Sequence, residues 1–572
     1  MTVARVLPNV TGLDKTFDYL VPPGIDGPVV LGAIVRVELH GRRVGGWIVE
    51  IDPPDAHDPA RLKPLAKVTG LGPPADVLAL TEWAALRWAG RRREFLQAGS
   101  PPRAVRAMPP PNRTARVVEP RSPASTRLLE AGGGVLRLPP SSDPMPAVLS
   151  AAAVGPTLVV VPAPDEAVYL GSRLRRAGFT VAVLPNDWAA AAGGVDVVVG
   201  GRAAAFGPVP DLAAAVLLDE HDEALYSEAS PTWNARDALI ERCRTAGVPL
   251  LMVSPCPTVI ALAGREPVRP PRQREREGWP IVEVVDRTDD EPWKRSQVTS
   301  ALIRHLRDHE RTVVCVTNVT GRARLLACRQ CRALARCERC DAAVVQPDDT
   351  RLDCPRCGAT RPLVCLACGA GRFANLRPGV SRLREELEAA ANRPAVEVTA
   401  AGPDEPPPAG VYVGTEAALH RVRRADTVAF LDFDSQLLAP RFGASEQAMA
   451  LLVRAARLVG RRDRGGRILI QTFLPTHDVV RAALHADPGL MVPGELARRE
   501  VLGLPPFGAI AEISGKGADE LVGGMIGASD IAVGGGAGQY VLKAADPLVL
   551  GAAINELERP PGSRLRIAVD PY

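Results

Sequence analysis

Short apolar runs separated by proline and glycine open the chain: ARVLPNV, FDYLV, AIVRVEL and VGGWIVEI. Runs of this length with such separators predict a small β-rich domain over residues 1–100. In LALTEWAALRWAGRR (78–92) the apolar spacing changes to a helical period. Proline-rich text follows in PPRAVRAMPPPNR and VVEPRSPAS, and 101–125 reads as a linker. Between 126 and 283, buried-strand candidates (TLVVVPAP, TVAVLP, VDVVVGG, AAAVLLDE, PLLMVSP) alternate with amphipathic stretches such as DEAVYLGSRLRRAG. That alternation implies a parallel sheet covered on both faces. A second set starts near 281 with IVEVVD and runs through TVVCVTN, GVYVGT, TVAFLDFD, EQAMALLVRAARLVG and RILIQTF, giving a second α/β lobe over 284–480. The tail, 481–572, reads as a small α+β domain, with ELARREVLG helical and GAIAEIS, QYVLKAA and LRIAVD as strands. No internal sequence repeat is evident.

The fold class expected is therefore α/β and multidomain. Length and composition agree, with 572 residues of which 46% are hydrophobic and 23% charged. No stretch is apolar enough to span a membrane. The start, MTVARVLPNVTGLDK, lacks the basic, apolar and small-residue regions of a secretion signal, so a cytoplasmic protein is expected. The net charge of +4 does not by itself call for a nucleic-acid partner. Only six of the 69 basic residues are lysine (15, 63, 67, 294, 516, 543). A GC-rich genome explains that bias, although arginine also suits bidentate phosphate contact.

The cysteines change the picture most. Eight of the eleven lie in four C-x-x-C pairs between Cys328 and Cys368. Two such pairs complete a tetrahedral zinc site, and thiolate favours zinc, with iron–sulfur the lesser alternative. Four pairs combine in three ways. A hairpin-sized stretch containing PDDT separates Cys337 and Cys340 from Cys354 and Cys357, which suits a zinc ribbon. Cys328 and Cys331 then join Cys365 and Cys368 in a nested scheme. Two structural zinc ions are expected in an insertion over 328–371, with no open coordination position for water. Arg322, Arg324, Arg329, Arg332, Arg336 and Arg339 surround the first pairs. They make either a solvated basic face or a phosphate-contacting one. Cys243, Cys256 and Cys315 read as core residues.

The run VLLDEHD (216–222) looks like the magnesium-holding corner of an ATP-driven motor. Such a motor also needs a glycine-rich phosphate loop with a lysine. No G-x-x-x-x-G-K-[ST] occurs. Where that loop belongs, the chain reads VLRLPPSSDPMPAVLS (135–150), without lysine and with prolines that remove backbone donors.

Taken together, these segments resemble the PriA (primosomal protein N′) family of replication restart proteins. The resemblance runs almost end to end. It is carried by the eight-cysteine insertion and by LDKTFDYLVPPG (13–24), FGPVPDLAAAVLLDEHDEALYSEASPTWNARD (206–237), SPCPT (254–258), GVYVGTE (410–416), LDFDSQLLAPRF (431–442) and ELARREVLGLPPFG (495–508). It implies two helicase-like (RecA-like) lobes, a β-rich N-terminal module for a DNA 3′ end, and the loading of a replicative helicase at stalled forks. In the family's 3′-end pocket, an aromatic ring stacks on the terminal base and a carboxylate accepts the 3′-hydroxyl. Phe17, Asp18, Tyr19, Gly41 and Lys63 match it. Spacing alone reads Phe17 and Tyr19 as alternating strand residues facing the core and Asp18 as a surface residue.

Departures from the family pattern are concentrated in the motor. Leu218 stands where the first, metal-positioning aspartate belongs, with Asp219, Glu220 and His221 following in register. The final motif, Q-x-x-G-R-x-G-R, keeps Arg461 but has Leu458 in the other arginine's place. Asp219, Glu220, His221 and Arg461 are therefore expected as remnants of a nucleotide site. The winged helix that normally precedes the first lobe is missing or reduced, and the whole fits a degenerate, actinobacterial-type branch. The expected activity is fork binding and primosome assembly without ATP hydrolysis, with ATP and Mg2+ in doubt as cofactors. The alternative is a 3′→5′ DNA helicase with a divergent nucleotide site. Expected partners are branched DNA with single-stranded regions, helicase-loading proteins and single-stranded DNA-binding protein, at the nucleoid.

Overall fold

The computed structural model describes residues 1–114, 121–290, 296–317, 326–375, 380–399, 401–525 and 530–571. The chain opens with an antiparallel sheet of β1 (Val3–Pro8), β2 (Phe17–Leu20), β3 (Ile34–Leu39), β4 (Arg42–Ile51) and β5 (Lys67–Gly70), in the order β2-β1-β4-β3-β5. Alternation along β3 buries Val35 and Val37 and exposes Arg36 and Glu38, the period-two pattern of a sheet with one wet face. β3 and β4 join through His40 and Gly41, both at positive φ (48° and 76°). That is the two-residue turn whose handedness matches strand twist, and glycine adopts it without strain.

Two helices follow, α1 (Ala75–Arg87) and α2 (Arg92–Gly99). The helical spacing expected over 78–92 thus begins three residues earlier and stops at Arg87. α2 was not foreseen: its only large apolar residues are Phe95 and Leu96, set between an arginine run and the proline tract.

The first lobe contains α3 (Pro123–Glu130), β6 (Gly133–Arg137), α4 (Met145–Ala152), β7 (Thr157–Val160), α5 (Pro164–Arg176), β8 (Val181–Val183), α6 (Trp188–Gly193), β9 (Val197–Gly200) and β10 (Ala214–Leu218). A short hairpin, β11 (Tyr226–Ser227) and β12 (Trp233–Asn234), leads to α7 (Ala235–Ala246), β13 (Leu250–Ser254), α8 (Val259–Leu262) and α9 (Arg272–Glu277). The six-stranded sheet is parallel, in the order β6-β13-β10-β7-β9-β8. β7, β9, β10 and β13 are buried at every position, as strands covered by helices on both faces must be.

The second lobe starts with β14 (Ile281–Asp286), α10 (Ser300–Leu306) and β15 (Val313–Val316). The cysteine insertion contributes β16 (Leu326–Cys328), β17 (Arg351–Asp353), β18 (Thr360–Pro362) and β19 (Phe373–Asn375). Then come α11 (Val380–Ala391), β20 (Ala395–Val398), β21 (Val411–Gly414), α12 (Ala417–Arg421), β22 (Thr427–Phe430), α13 (Asp434–Leu437), α14 (Ala444–Val459), β23 (Arg467–Thr472), α15 (Asp478–Leu484) and α16 (Val492–Leu502). Its sheet is also parallel, in the order β14-β23-β22-β15-β21-β20. Two divisions drawn from sequence cut through elements. Position 283/284 falls inside β14, which pairs with β23 in the second sheet. Position 480/481 falls inside α15, whose Val479, Val480, Ala482 and Ala483 belong to the second-lobe core.

The tail forms β24 (Ala509–Lys516), α17 (Ala518–Gly523), β25 (Ala532–Gly536), β26 (Gln539–Ala544), α18 (Pro547–Glu556) and β27 (Arg564–Val569), an antiparallel sheet in the order β25-β26-β24-β27. One apolar core runs from α1 and α2 through the first lobe into this sheet. At its centre the Trp88 ring lies 5.3 Å from Trp83, 5.8 Å from Phe95 and 6.4 Å from Trp233. The tail is tied to the first lobe by reciprocal bonds: Thr232 Oγ1 donates to the Val569 carbonyl, and the Val569 N–H donates to Thr232 Oγ1. Among the described residues no helix is long and apolar enough to cross a membrane.

Trp88→Ala is expected to cost about 3–5 kcal/mol, the range for emptying a large buried aromatic site. The first transition in denaturant unfolding reads it; a loss below about 1 kcal/mol would contradict this account of the core.

Candidate functional site

The end of β10 carries the acids of VLLDEHD. Leu218, the last strand residue, is buried among apolar neighbours. Asp219 follows at φ 52°, a left-handed conformation that aspartate tolerates better than most residues. Its two oxygens accept from the Arg457 guanidinium on α14 at 2.7 and 2.5 Å. Three residues earlier on the same helix face, Arg454 donates to Asp222 at 2.6 Å. Burial alone would push the Asp219 carboxyl up, but the Arg457 charge and its hydrogen bonds outweigh that and hold it below the usual range. Glu220 turns inward, accepting from Arg236 at 3.0 Å and from the Thr258 N–H and hydroxyl at 3.0 and 2.6 Å. His221 Nδ1 lies 2.9 Å from Ser254 Oγ, and burial lowers its proton affinity. Asp219, Glu220 and His221 thus stand side by side but each has its own partners, Arg457, Arg236 with Thr258, and Ser254. Arg461 does not join them: it lies beyond the end of α14 and pairs with Asp463 at 3.1 Å. The arginines that do meet the acids, Arg454 and Arg457, stand outside the two arginine positions of the family pattern; their three-residue spacing on α14 is the signal the sequence carries for them.

Between β6 and α4, where a phosphate loop would sit, α4 begins after Pro144 with a second proline, Pro146, in its first turn. Asp143 occupies the approach, accepting from the Met145 N–H at 3.0 Å and from Arg173 at 2.8 and 2.5 Å. A carboxylate already uses the helix end that would otherwise attract phosphate.

The eight insertion cysteines fall into two groups, Cys328, Cys331, Cys365, Cys368 and Cys337, Cys340, Cys354, Cys357, which is the nested grouping. Within each group all sulfurs lie within 4.8 Å of one another, and the nearest pairs are 3.4–3.5 Å apart. A disulfide needs about 2.05 Å. Four thiolates around one tetrahedral zinc stand about 3.8 Å apart, so each donor set fits a zinc-sized ion. The local backbone explains the fit. In every knuckle the cysteine N–H donates to the carbonyl five residues on, which belongs to alanine each time (333, 342, 359, 370). The cysteine carbonyl accepts from the residue four on (Arg332, Asp341, Gly358, Gly369), and each of these has positive φ. The insertion is therefore a fourfold repeat of C-x-x-C-x-A, a correction to the expectation that no repeat exists. Arg322 and Arg324 lie outside the described residues; Arg336 pairs with Asp341 at 3.0 Å.

In the N-terminal sheet, strand alternation sends Phe17 and Tyr19 to one side and Asp18 to the other. Tyr19 is 3% exposed and its hydroxyl donates to the Glu38 carbonyl, so its ring lies in the core of the sheet. Phe17 is half-buried against the same core. Lys63 sits at the surface, 2.8 Å from the Glu38 carboxylate, and space around Gly41 is open. Asp18 is no free surface acid. It accepts from Arg5 at 2.8 and 3.3 Å and from the His57 N–H at 3.2 Å, with His57 Nδ1 3.0 Å away. The hydrogen bond from Arg5 is the main cause holding its carboxyl down at about 2. Neither Arg5 nor His57 was anticipated, since they join Asp18 only through strand pairing and a loop.

Residues 5–101 match the family described as 3′DNA-binding domain (3′BD) of PriA. The "Probable replication restart protein PriA" of Mycobacterium tuberculosis is 27% identical over 573 residues, covering 89% of this chain and 85% of that protein. The "Replication restart protein PriA" of Thermotoga maritima is 29% identical over 364 residues, covering 58% of this chain and 48% of that protein. Over most of its length the chain is similar to PriA replication restart proteins. Of the Thermotoga PriA and the Bacillus subtilis PriA (25% identical) it spans about half the length, 48% in each case. Among solved structures, a DEAD box protein from Methanococcus jannaschii is 9% identical, covers 64% of this chain and 89% of that one, and gives a TM-score of 0.29. The DEAH/RHA helicase HrpB of Escherichia coli is 13% identical, covers 61% and 41%, and gives 0.30. These overlaps are loose; the two RecA-like lobes rest on the sheet orders above. Phe17, Asp18, Tyr19, Gly41 and Lys63 all lie in the stretch matching the PriA 3′BD.

Two measurements check these geometries. Purified protein is expected to carry two zinc equivalents by elemental analysis, and stripping them with a strong chelator is expected to unfold the insertion, since a structural zinc contributes about 10–16 kcal/mol. Retained protease resistance of 328–371 after complete stripping would contradict it. The Asp18 carboxyl, lowered relative to its unfolded value, adds stability above the ordinary carboxylate range and loses it only as pH falls through about 2. Its carbon chemical shift should therefore stay nearly flat from pH 7 to about 3. A midpoint near 4 would show that the Arg5 contact is absent in solution.

Proposed function

We propose that this chain binds forked DNA at a free 3′ end and supports replication restart as a scaffold, without hydrolysing ATP. One contrast carries the reading: the N-terminal unit keeps its family match over 5–101, while Arg457 occupies both oxygens of Asp219 in the motor corner. In the Q-x-x-G-R-x-G-R pattern expected of the family, Arg454 and Arg457 stand at the glutamine and first glycine, and Leu458 and Arg461 at the two arginines. Together with Leu218 and the absent phosphate loop, this supports the degenerate, actinobacterial-type assignment. Losing one such electrostatic element costs about 2.7–4 kcal/mol of transition-state stabilisation, and here several are changed at once.

At the DNA end, the half-buried Phe17 ring stacks on the terminal base, and the 3′-hydroxyl donates to Asp18. His57 is 81% exposed at the side chain and yields its place to that hydroxyl at small cost, while Arg5 keeps the carboxylate ionised. Lys63 steadies a nearby phosphate and the turn at Gly41 leaves room for the backbone. The two zinc ions are structural. Partners are forked DNA, primosome and helicase-loading proteins and single-stranded DNA-binding protein, in the cytoplasm at the nucleoid.

The test uses purified full-length protein and a labelled fork at fixed salt. A free 3′-hydroxyl should bind about tenfold or more tighter than a 3′-phosphate end, the worth of a hydrogen bond to a charged group. His57→Ala should bind no more weakly, and Asp18→Asn should erase the preference. Equal binding of both ends removes the pocket reading. DNA-stimulated ATP turnover that disappears with Asp219→Ala and Glu220→Ala would instead favour a 3′→5′ helicase with a divergent nucleotide site.

A further inference from the structure

The corner that would hold a metal–nucleotide complex lies between the two lobes, and this chain's own charges fill it. From the first lobe come Asp219 and Asp222; from α14 of the second come Arg457 and Arg454, more than two hundred residues away. Arg457 does more than pair with an acid. Its Nε lies 3.4 Å from the carbonyl of Pro140, in the segment between β6 and α4. One guanidinium thus touches both places where a motor binds its fuel, the metal-holding acid and the phosphate loop's position.

Neighbouring contacts run the same way. The Val259 N–H donates to Glu446 of α14 at 2.7 Å, and Glu446 also pairs with Arg499 of α16. At the end of β6, Arg137 lies 2.6 Å from Glu275 and 3.0 Å from Asp487, which joins the first lobe to the turn after α15. A cleft of about 550 Å³ remains beside the arginines, lined by Glu166, Asp222, Glu223 and Glu228. Burial, with smaller contributions from the adjacent acids, raises the Glu166 and Glu223 carboxyls. A triphosphate entering the cleft meets carboxylates, and the two arginines that could receive it are committed to Asp219 and Asp222.

We propose that Arg454 and Arg457 take the place of the metal and nucleotide charge, so that the two lobes are held closed without ligand. In a motor, closure follows nucleotide arrival and reverses on release; here the closing charges are covalently part of the chain. The lobes then form a fixed body that sets the N-terminal module, the zinc insertion and the tail in constant register. This goes beyond the fork-binding reading and holds whether or not DNA binds.

The experiment measures the distance between labels on Val168, on the exposed face of α5, and on Arg423, after α12, across the cleft mouth. Encoded non-natural residues carry the labels, since eight of the eleven cysteines form the two metal-binding groups. The wild-type full chain should give a single distance, unchanged by millimolar Mg·ATP. Arg454→Ala with Arg457→Ala should shift the distribution to longer distances and broaden it. The charge exchange Asp219→Arg with Arg457→Asp should restore the short distance, which separates loss of the pair from general damage. Unchanged zinc content and far-ultraviolet dichroism certify each variant as folded. A wild type that is already broad, that shifts with Mg·ATP, or that matches the double alanine variant overturns the proposal.

Discussion

A carboxylate withdrawn from water must find a counter-charge, and where that charge comes from decides what the site can do. In a nucleotide-driven motor it arrives with the ligand. Here Arg457 supplies it from the neighbouring lobe, in a bidentate contact with Asp219. Glu220 is satisfied in the same internal way by Arg236 and Thr258. The acids and histidine of VLLDEHD are the ends of polar contacts that reach from β10 to β13, α7, α8 and α14. An ion pair of this kind contributes little net stability, because desolvation offsets attraction, yet breaking one partner is costly. Its consequence is geometric: it fixes which faces of the two lobes meet.

The zinc insertion obeys a related constraint at smaller scale. Its apolar cluster has only eight buried residues, Leu326, Ala335, Ala342, Val344 and Leu352 with Cys337, Cys340 and Cys354, a small core for a segment of this length. What it does contribute is attachment. Arg356 donates to the Cys340 carbonyl at 2.9 Å and also to that of Ala439, and the Ala343 N–H donates to the Leu438 carbonyl at 2.8 Å. These contacts attach the knuckles to the residues just before α14, the helix that carries Arg454 and Arg457.

The parallel sheets were legible because β7, β9, β10 and β13 are almost continuously apolar, and the four-cysteine groups because C-x-x-C spacing constrains the local backbone. α2 was not, since two apolar residues among arginines give no helical period. The pocket around Asp18 was half legible. A strand alternates, so Phe17 and Tyr19 had to share a face, but whether that face was core or cleft depends on β3 and the Glu38 carbonyl. Arg5 and His57 reach Asp18 through pairing register and loop closure, which local sequence does not encode. The same holds for Arg454 and Arg457: the helix is obvious, while the partner across the lobe boundary is a tertiary fact.

The central claim is that the chain's own arginines have closed the corner to nucleotide. Equilibrium dialysis of the purified protein against labelled ATP with Mg2+ tests it most directly. The account predicts no saturable binding at nucleotide concentrations up to about 1 mM. Saturable binding in the micromolar range that requires Mg2+ and is lost in Asp219→Asn would contradict it.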